Sequence, residues 1–289
     1  MKIAFEVAAS VADELGECPI WDERSGLLWW VDGRAPAVKR LDPASGTPTV
    51  LPLPETVGSI AFRERGGLLA ATKSGIHFFD PVAGTLAAAA RPEYHLPDNR
   101  FNDGRCDRAG RFWAGTMSDV RREPCGSLYR LDANLECTRL RNSIIIPNGL
   151  AWSPDGRSMY FADTNRSTIW AWDYDPASGA ASGERVFADT GAGRPDGSCV
   201  DADGCLWNAE YGGWRLVRYS PAGKVDRVVE LPVANPTCCC FGGGRFDVLY
   251  VTTARQRLGA ADLAAQPLAG SVLALRTGSQ GLPESRFAG

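Results

Sequence analysis

A glycine turn followed by an apolar strand recurs six times along this 289-residue chain, and that repeat limits its fold more than any other feature. The copies read ERSGLLWWVD from Glu23, RERGGLLAAT from Arg63, DRAGRFWAGT from Asp107, SPDGRSMYFAD from Ser153, DADGCLWNAE from Asp201 and FGGGRFDVLYVTT from Phe241. Their spacing, roughly 40 to 47 residues, is that of a four-stranded propeller blade. A second alternating strand follows each copy after a short polar turn, as in AVKRLDPASG from Ala37, GIHFFDPVAG from Gly75 and STIWAWDYDPASG from Ser167. β-Branched and aromatic residues bounded by Asp-Pro or Gly turns are strand and hairpin signatures. Two features in step favour a closed ring over an irregular sandwich. The expected fold is all-β, a six-bladed β-propeller with four-stranded blades around a central channel, in one domain spanning residues 1–289. Met1 to Val11 is expected to supply the strand that closes the last blade, and Gly259 to Gln266 a short helical loop. Helix is otherwise not expected, because no long stretch has a 3.6-residue apolar period and 32 Gly and 19 Pro would interrupt it.

Composition removes several functions. A net charge of -3, with no cluster of Lys or Arg to offset it, gives no field for a phosphate backbone, so nucleic acid is not an expected partner. No apolar run approaches the roughly 20 residues of a spanning helix, and Met1 to Ser10 has no signal-like apolar block; no membrane partner and a cytoplasmic location are expected. Nine cysteines, with Cys238, Cys239 and Cys240 consecutive, suit reduced core thiols better than a disulfide framework, and no CxxC pair points to structural zinc. Cys18 and Cys199, though near the channel, read as core packing. The two histidines, His77 in an alternating strand and His95 in a loop, cannot build a three-His zinc site.

The first strand of each blade lines a propeller's channel, so residues at one repeat position face one another. Counting back eight residues from the turn glycine reaches Asn102 from Gly110, Asn148 from Gly156 and Asp196 from Gly204; Glu17 stands nine before Gly26, whose turn is longer. Ser59 holds the same place before Gly67, and the sixth copy, with Gly242 to Gly244, does not align. Turn-making explains one Asn-Gly or Asp-Gly pair, but not a shared offset and not Glu17. Two carboxylates and up to two carboxamides are hard oxygen donors for a divalent ion, and acids crowded together without a cation force one to protonate. So few ligands would leave positions open to water and substrate.

Around these residues the sequence resembles the regucalcin/gluconolactonase family of metal-dependent sugar lactonases. The likeness is carried by LGECPIWDE from Leu15, RFNDGRCDRAGRFWAGTM from Arg100, IPNGLAWSPDG from Ile146, RPDGSCVDADGCLW from Arg194 and TCCCFGGG from Thr237, and it runs essentially end to end. It implies that Glu17, Asn148 and Asp196 hold one divalent metal, Ca, Mn, Mg, Fe or Zn, that Asp196 is also the catalytic base, and that Arg100 and Asn102 contact substrate. After Gly-Thr-Met the family carries acidic residues that meet sugar hydroxyls; here Ser118-Asp119-Val120 keeps one carboxylate, and Asp119 is the third substrate-binding candidate. The implied reaction is hydrolysis of a small-molecule sugar lactone to the open-chain aldonate, with no covalent nucleophile. Tyr211 and Trp214 are aromatic candidates for a wall against the sugar, weighed against simple packing. Three other readings remain: a non-catalytic calcium-binding propeller, a metal-dependent esterase or organophosphatase, whose sites often use the histidine scarce here, and a scaffold for protein partners. The sugar, the lactone ring size and the oligomeric state stay open.

Overall fold

The computed structural model describes residues 4–289. Among them, strands numbered β1 to β24 in chain order form six four-stranded antiparallel sheets, and sequence order equals spatial order in five of them. The inner strands are β2 (Gly16–Asp22), β6 (Val57–Phe62), β10 (Asn99–Cys106), β14 (Pro147–Trp152), β18 (Arg194–Val200) and β22 (Pro236–Gly242). This is the six-bladed propeller that the repeat predicts. In the sixth sheet β1 (Phe5–Ala9) pairs with β24 (Val272–Leu275), setting Phe5 opposite Leu275 and Val7 opposite Leu273. The strand expected within Met1 to Val11 thus closes the ring, and its first residues, Met1 to Ile3, lie outside the described residues. The short helix α1 (Ala260–Ala265) falls inside the loop expected to hold one.

Each blade is covered on both faces by its neighbours, so inner strands such as β6 are buried at every position while outermost strands are largely exposed or half-buried. Aromatic residues fill the wedges between blades: the Trp113 ring lies 5.9 Å from Trp152 and 5.8 Å from Tyr174 of the next blade. The D-x-x-G-x-x-W pattern has a local cause. Asp107 accepts the backbone N–H groups of Ala109 and Arg111 and the Trp113 indole N–H, and Asp201 does the same for Asp203, Cys205 and Trp207. Gly110 and Gly204 complete these turns at φ 80, where a side chain would be strained.

The C-terminal segment packs against the turns at the far ends of the inner strands. Phe287 is fully buried, with its N–H on Phe62 O and its carbonyl accepting from Glu64 N, and Ala288 N donates to Gly110 O. Gly281 N reaches Phe246 O, and Ala202 N reaches Gln280 O. The tail therefore ties together the far ends of several blades. Replacing Phe287 by Ala is expected to lower the unfolding free energy by about 3 to 5 kcal/mol, the usual cost of emptying a buried phenylalanine site. Urea denaturation measures this, and a change well under 1 kcal/mol would show the tail to be outside the cooperative unit.

Candidate active site

At the open mouth, every inner strand slips register by one residue. The shifts fall between Glu17 and Ile20, Val57 and Ser59, Phe101 and Gly104, Asn148 and Ala151, Pro195 and Ser198, and Pro236 and Cys238. A β-bulge bends its strand and re-aims the side chains beside it. Here it turns Glu17, Asn102, Asn148 and Asp196 onto the wall of one cavity, shared with Arg34, Arg100 and Tyr211. The Asp196-Gly197 pair is therefore a close approach, not a hairpin turn: a Cβ on Gly197 would sit 2.2 Å from Cys238 Sγ. Carboxylates at the ends of second strands hold the loops that lead into this region. Asp32 accepts the N–H groups of Glu14 and Leu15 ahead of Glu17, and Asp163 those of Ile145 and Ile146 ahead of Asn148.

One line of hydrogen bonds crosses three blades. Arg100 Nε donates to Asp119 Oδ1 at 3.0 Å and its Nη1 to Asn102 Oδ1 at 2.8 Å. Asn102 Nδ2 donates to Pro147 O at 2.9 Å and to Asn148 Oδ1 at 3.1 Å. Asn148 Nδ2 in turn donates to Thr164 Oγ1 at 2.7 Å, whose hydroxyl proton goes to Pro195 O at 2.8 Å. Because Thr164 spends its proton on Pro195, it can only accept from Asn148, and this orients the amide with its oxygen toward the channel. Asn208 Nδ2 bonds Asp196 O and Ser198 Oγ, both at 2.9 Å, and steadies the bulge that carries Asp196.

The carboxyl groups are crowded. Burial, then the neighbouring Asp103 charge, pushes Glu17 up to about 8. Asp196 lies well above the usual carboxylate range through burial, with Glu17 and Asp103 adding repulsion. Asp103 is itself raised by burial, opposed by Arg105 and by the Leu150 N–H that it accepts at 3.0 Å. Asp196 Oδ1 is buried without a hydrogen-bond partner. Among the described residues no three His, Cys, Asp or Glu side chains gather closely enough to hold an ion alone, so an amide oxygen must complete any set here. Two repelling carboxylates, an unpartnered buried oxygen and an amide oxygen turned inward fit a hard divalent cation.

The remaining candidates lie as follows. Asp119 stands behind Arg100, and its Oδ1 also accepts from Arg34 Nη1 at 2.7 Å, so it acts as counter-ion to both. Despite partial burial, those two arginines hold it below its ordinary value. Tyr211 lines the cavity and donates to Gln256 O at 2.9 Å, whereas Trp214 is 44% exposed and does not line it. His77 is buried in its strand against Thr72 Oγ1, and His95 lies exposed in a loop. All nine cysteines are free, and burial raises Cys18 and Cys199, which makes them poor nucleophiles. The reading of no basic cluster needs correction: Arg34, Arg100, Arg122, Arg194 and Arg257, distant in sequence, converge on the cavity. Thr164 and Asp103 also escaped sequence reasoning; Thr164 follows the strand-end acid Asp163, the one signal that marks it.

A six-bladed propeller whose bulged inner strands set two acids and two amides around one channel defines a class with known relatives. The chain matches the model of the SMP-30/Gluconolactonase/LRE-like region over residues 15–255, and it belongs to that family. It is 39% identical over 277 residues to a 6-deoxy-6-sulfogluconolactonase of Pseudomonas putida, covering 95% of both chains. It is 39% identical over 289 residues to an L-arabinolactonase of Azospirillum brasilense, covering 97% of this chain and 94% of that one. In structure it is similar to a calcium-binding regucalcin of Agrobacterium tumefaciens, with a TM-score of 0.95, 34% identity, and 99% and 98% of the two chains covered. No helix among the described residues is long and apolar enough to cross a membrane.

Proposed function

We propose that this protein hydrolyses a sugar-acid lactone to the open-chain aldonate, with one divalent ion held by Glu17, Asn148 and Asp196. The observation that carries the reading is the convergence of those three side chains, with Asp196 Oδ1 left unpartnered, on the floor of a cavity that also presents Arg100 and Asn102. Lactonase relatives that match nearly the whole chain support the reaction class. An ion bound there supplies Lewis acidity to the lactone carbonyl.

The chain's own residues supply the rest. Asp196 would help to hold the ion and would accept the proton of the attacking water, and a positioned carboxylate serves as base even at modest basicity. Arg100, fixed by Asp119, directs its guanidinium at ring oxygens or the developing carboxylate. Asn102, held between Arg100 and Asn148, positions a substrate hydroxyl.

The test is proton release from gluconolactone and arabinonolactone by protein stripped of metal and then restored with Ca²⁺, Mg²⁺, Mn²⁺, Fe²⁺ or Zn²⁺, set against the spontaneous rate. Turnover that appears only on restoration supports the proposal, and a rate equal to the background with every ion removes it. A calcium-binding propeller without catalysis would need the same ligands but not Arg100. Arg100→Ala is expected to cut lactone kcat/KM by about a hundredfold while the ion's affinity, read by calorimetry, moves less than about threefold. Equal losses in both would reassign Arg100 to the ion site.

A further inference from the structure

The mouth of the channel is far more basic than the chain. Net charge is -3, yet five arginines line the cavity against only two wall carboxylates, Glu17 and Asp196, both on its buried floor. The five have different commitments. Asp119 pairs with both Arg34 and Arg100 through a single oxygen. Arg194 makes one long bond, 3.3 Å, to Asn165 Oδ1. Arg122 and Arg257 have neither an ion pair nor a side-chain hydrogen bond among the described residues, and both lie exposed at the rim.

Two further observations point the same way. Arg257 adopts φ 65, a left-handed conformation uncommon for a residue with a side chain, and such outliers gather at binding sites. Loss of water, followed by the like charges of Arg257, Arg100 and Arg34, holds Arg122 below its ordinary value. Cations crowded at a rim are relieved by an anion, just as acids crowded on a floor are relieved by a cation. A guanidinium fork matches the oxygens of a carboxylate, sulfonate or phosphate in a way that a neutral hydroxyl does not.

We infer that the lactone turned over here carries an anionic group on the carbon remote from the scissile carbonyl, and that Arg122 and Arg257, with Arg194 beside them, hold it. The inference rests on the lactonase reading, which puts the carbonyl at the floor beside Asp196 and so the far end of the substrate at the rim. Charges of opposite sign at floor and rim would orient the substrate before reaction. The carboxylate formed by hydrolysis arises at the floor, within reach of Arg100, and leaves the rim arginines to a second anion.

The experiment compares kcat/KM for neutral glucono-1,5-lactone with its 6-phosphate, its 6-sulfonate and the carboxylate-bearing glucaro-1,4-lactone, in the native chain and in Arg122→Gln/Arg257→Gln. At least one anionic lactone is expected to exceed the neutral one about tenfold, with the excess shrinking in salt and lost in the double variant. The best of the three identifies the anion. Parity with the neutral lactone, or an excess that survives the double substitution, overturns the inference. Calorimetry with 1,5-anhydroglucitol and its 6-phosphate, which cannot be hydrolysed, separates the two proposals. A preference for the phosphate that needs both arginines, with no lactone turned over, keeps the anion site and removes the lactonase. Equal binding, with neutral lactone turned over, removes the anion site alone.

Discussion

Asp196→Asn is expected to lower kcat/KM for lactone hydrolysis by on the order of 10³-fold, in the range that general bases contribute, and at the same time to make the metal-free protein more stable. Activity falls because an amide cannot accept the proton of the attacking water and is a weaker ligand for a hard ion. Stability rises because the native carboxyl is buried beside Glu17 and Asp103, with Oδ1 unpartnered and its proton affinity well above normal. Folding a carboxylate into that place costs free energy that an isosteric amide avoids. A variant that was simply damaged would lose both properties. Thermal unfolding of the metal-free forms at pH 8, beside proton-release kinetics of the restored forms, reads the two effects; a destabilised variant would contradict the electrostatic account.

The second large effect is a metal stabilisation that grows with pH. Glu17 ordinarily titrates near 4.5 and is pushed up to about 8 in the folded chain. A carboxyl raised in this way binds more protons folded than unfolded, so its contribution to stability is complete below 4.5 and is lost as pH rises through about 8. Each unit of that window costs about 1.4 kcal/mol at most for one group. A divalent ion favours the ionised form and removes the loss, while below the window protons compete with it. The rise in Tm on adding Ca²⁺ or Mn²⁺ is therefore expected to be small at pH 5, to increase through neutrality and to level off above pH 8. At pH 7 the binding should release protons, which calorimetry in two buffers of different ionisation enthalpy detects. An ion-induced shift that is flat from pH 5 to 9 would place the ion away from Glu17 and Asp196.

The architecture was legible because the repeat is a physical unit. ERSGLLWWVD and its five counterparts each write a turn and a buried second strand, and the offset from the turn glycine locates one point on each inner strand. That rule reached Glu17, Asn102, Asn148 and Asp196, which the bulges gather on one wall. It could not reach the bulges themselves, since one extra residue in a strand leaves no compositional mark. Nor could it reach Thr164, which matters only because its proton is committed to Pro195 O. Asp103 reads as half of an Asp-Gly turn, yet it lies half-buried beside the site, accepting from Leu150 N in the next blade. The arginines of the cavity come from five separated stretches and meet only when the ring closes. The tail's hold escaped notice because PESRFAG has no strand periodicity and is fixed by the burial of Phe287 and by backbone bonds to two blades.

The central claim is that the bulged inner strands build one cation site at the channel mouth, and a crystal of the protein soaked in Mn²⁺ with anomalous data tests it most directly. One strong anomalous peak within coordinating distance of carboxylate oxygens of Glu17 and Asp196 and of Asn148 Oδ1, absent from crystals of Asp196→Asn, is the predicted result. No peak in the channel, or a peak that avoids Asn148 and persists in the variant, would contradict it.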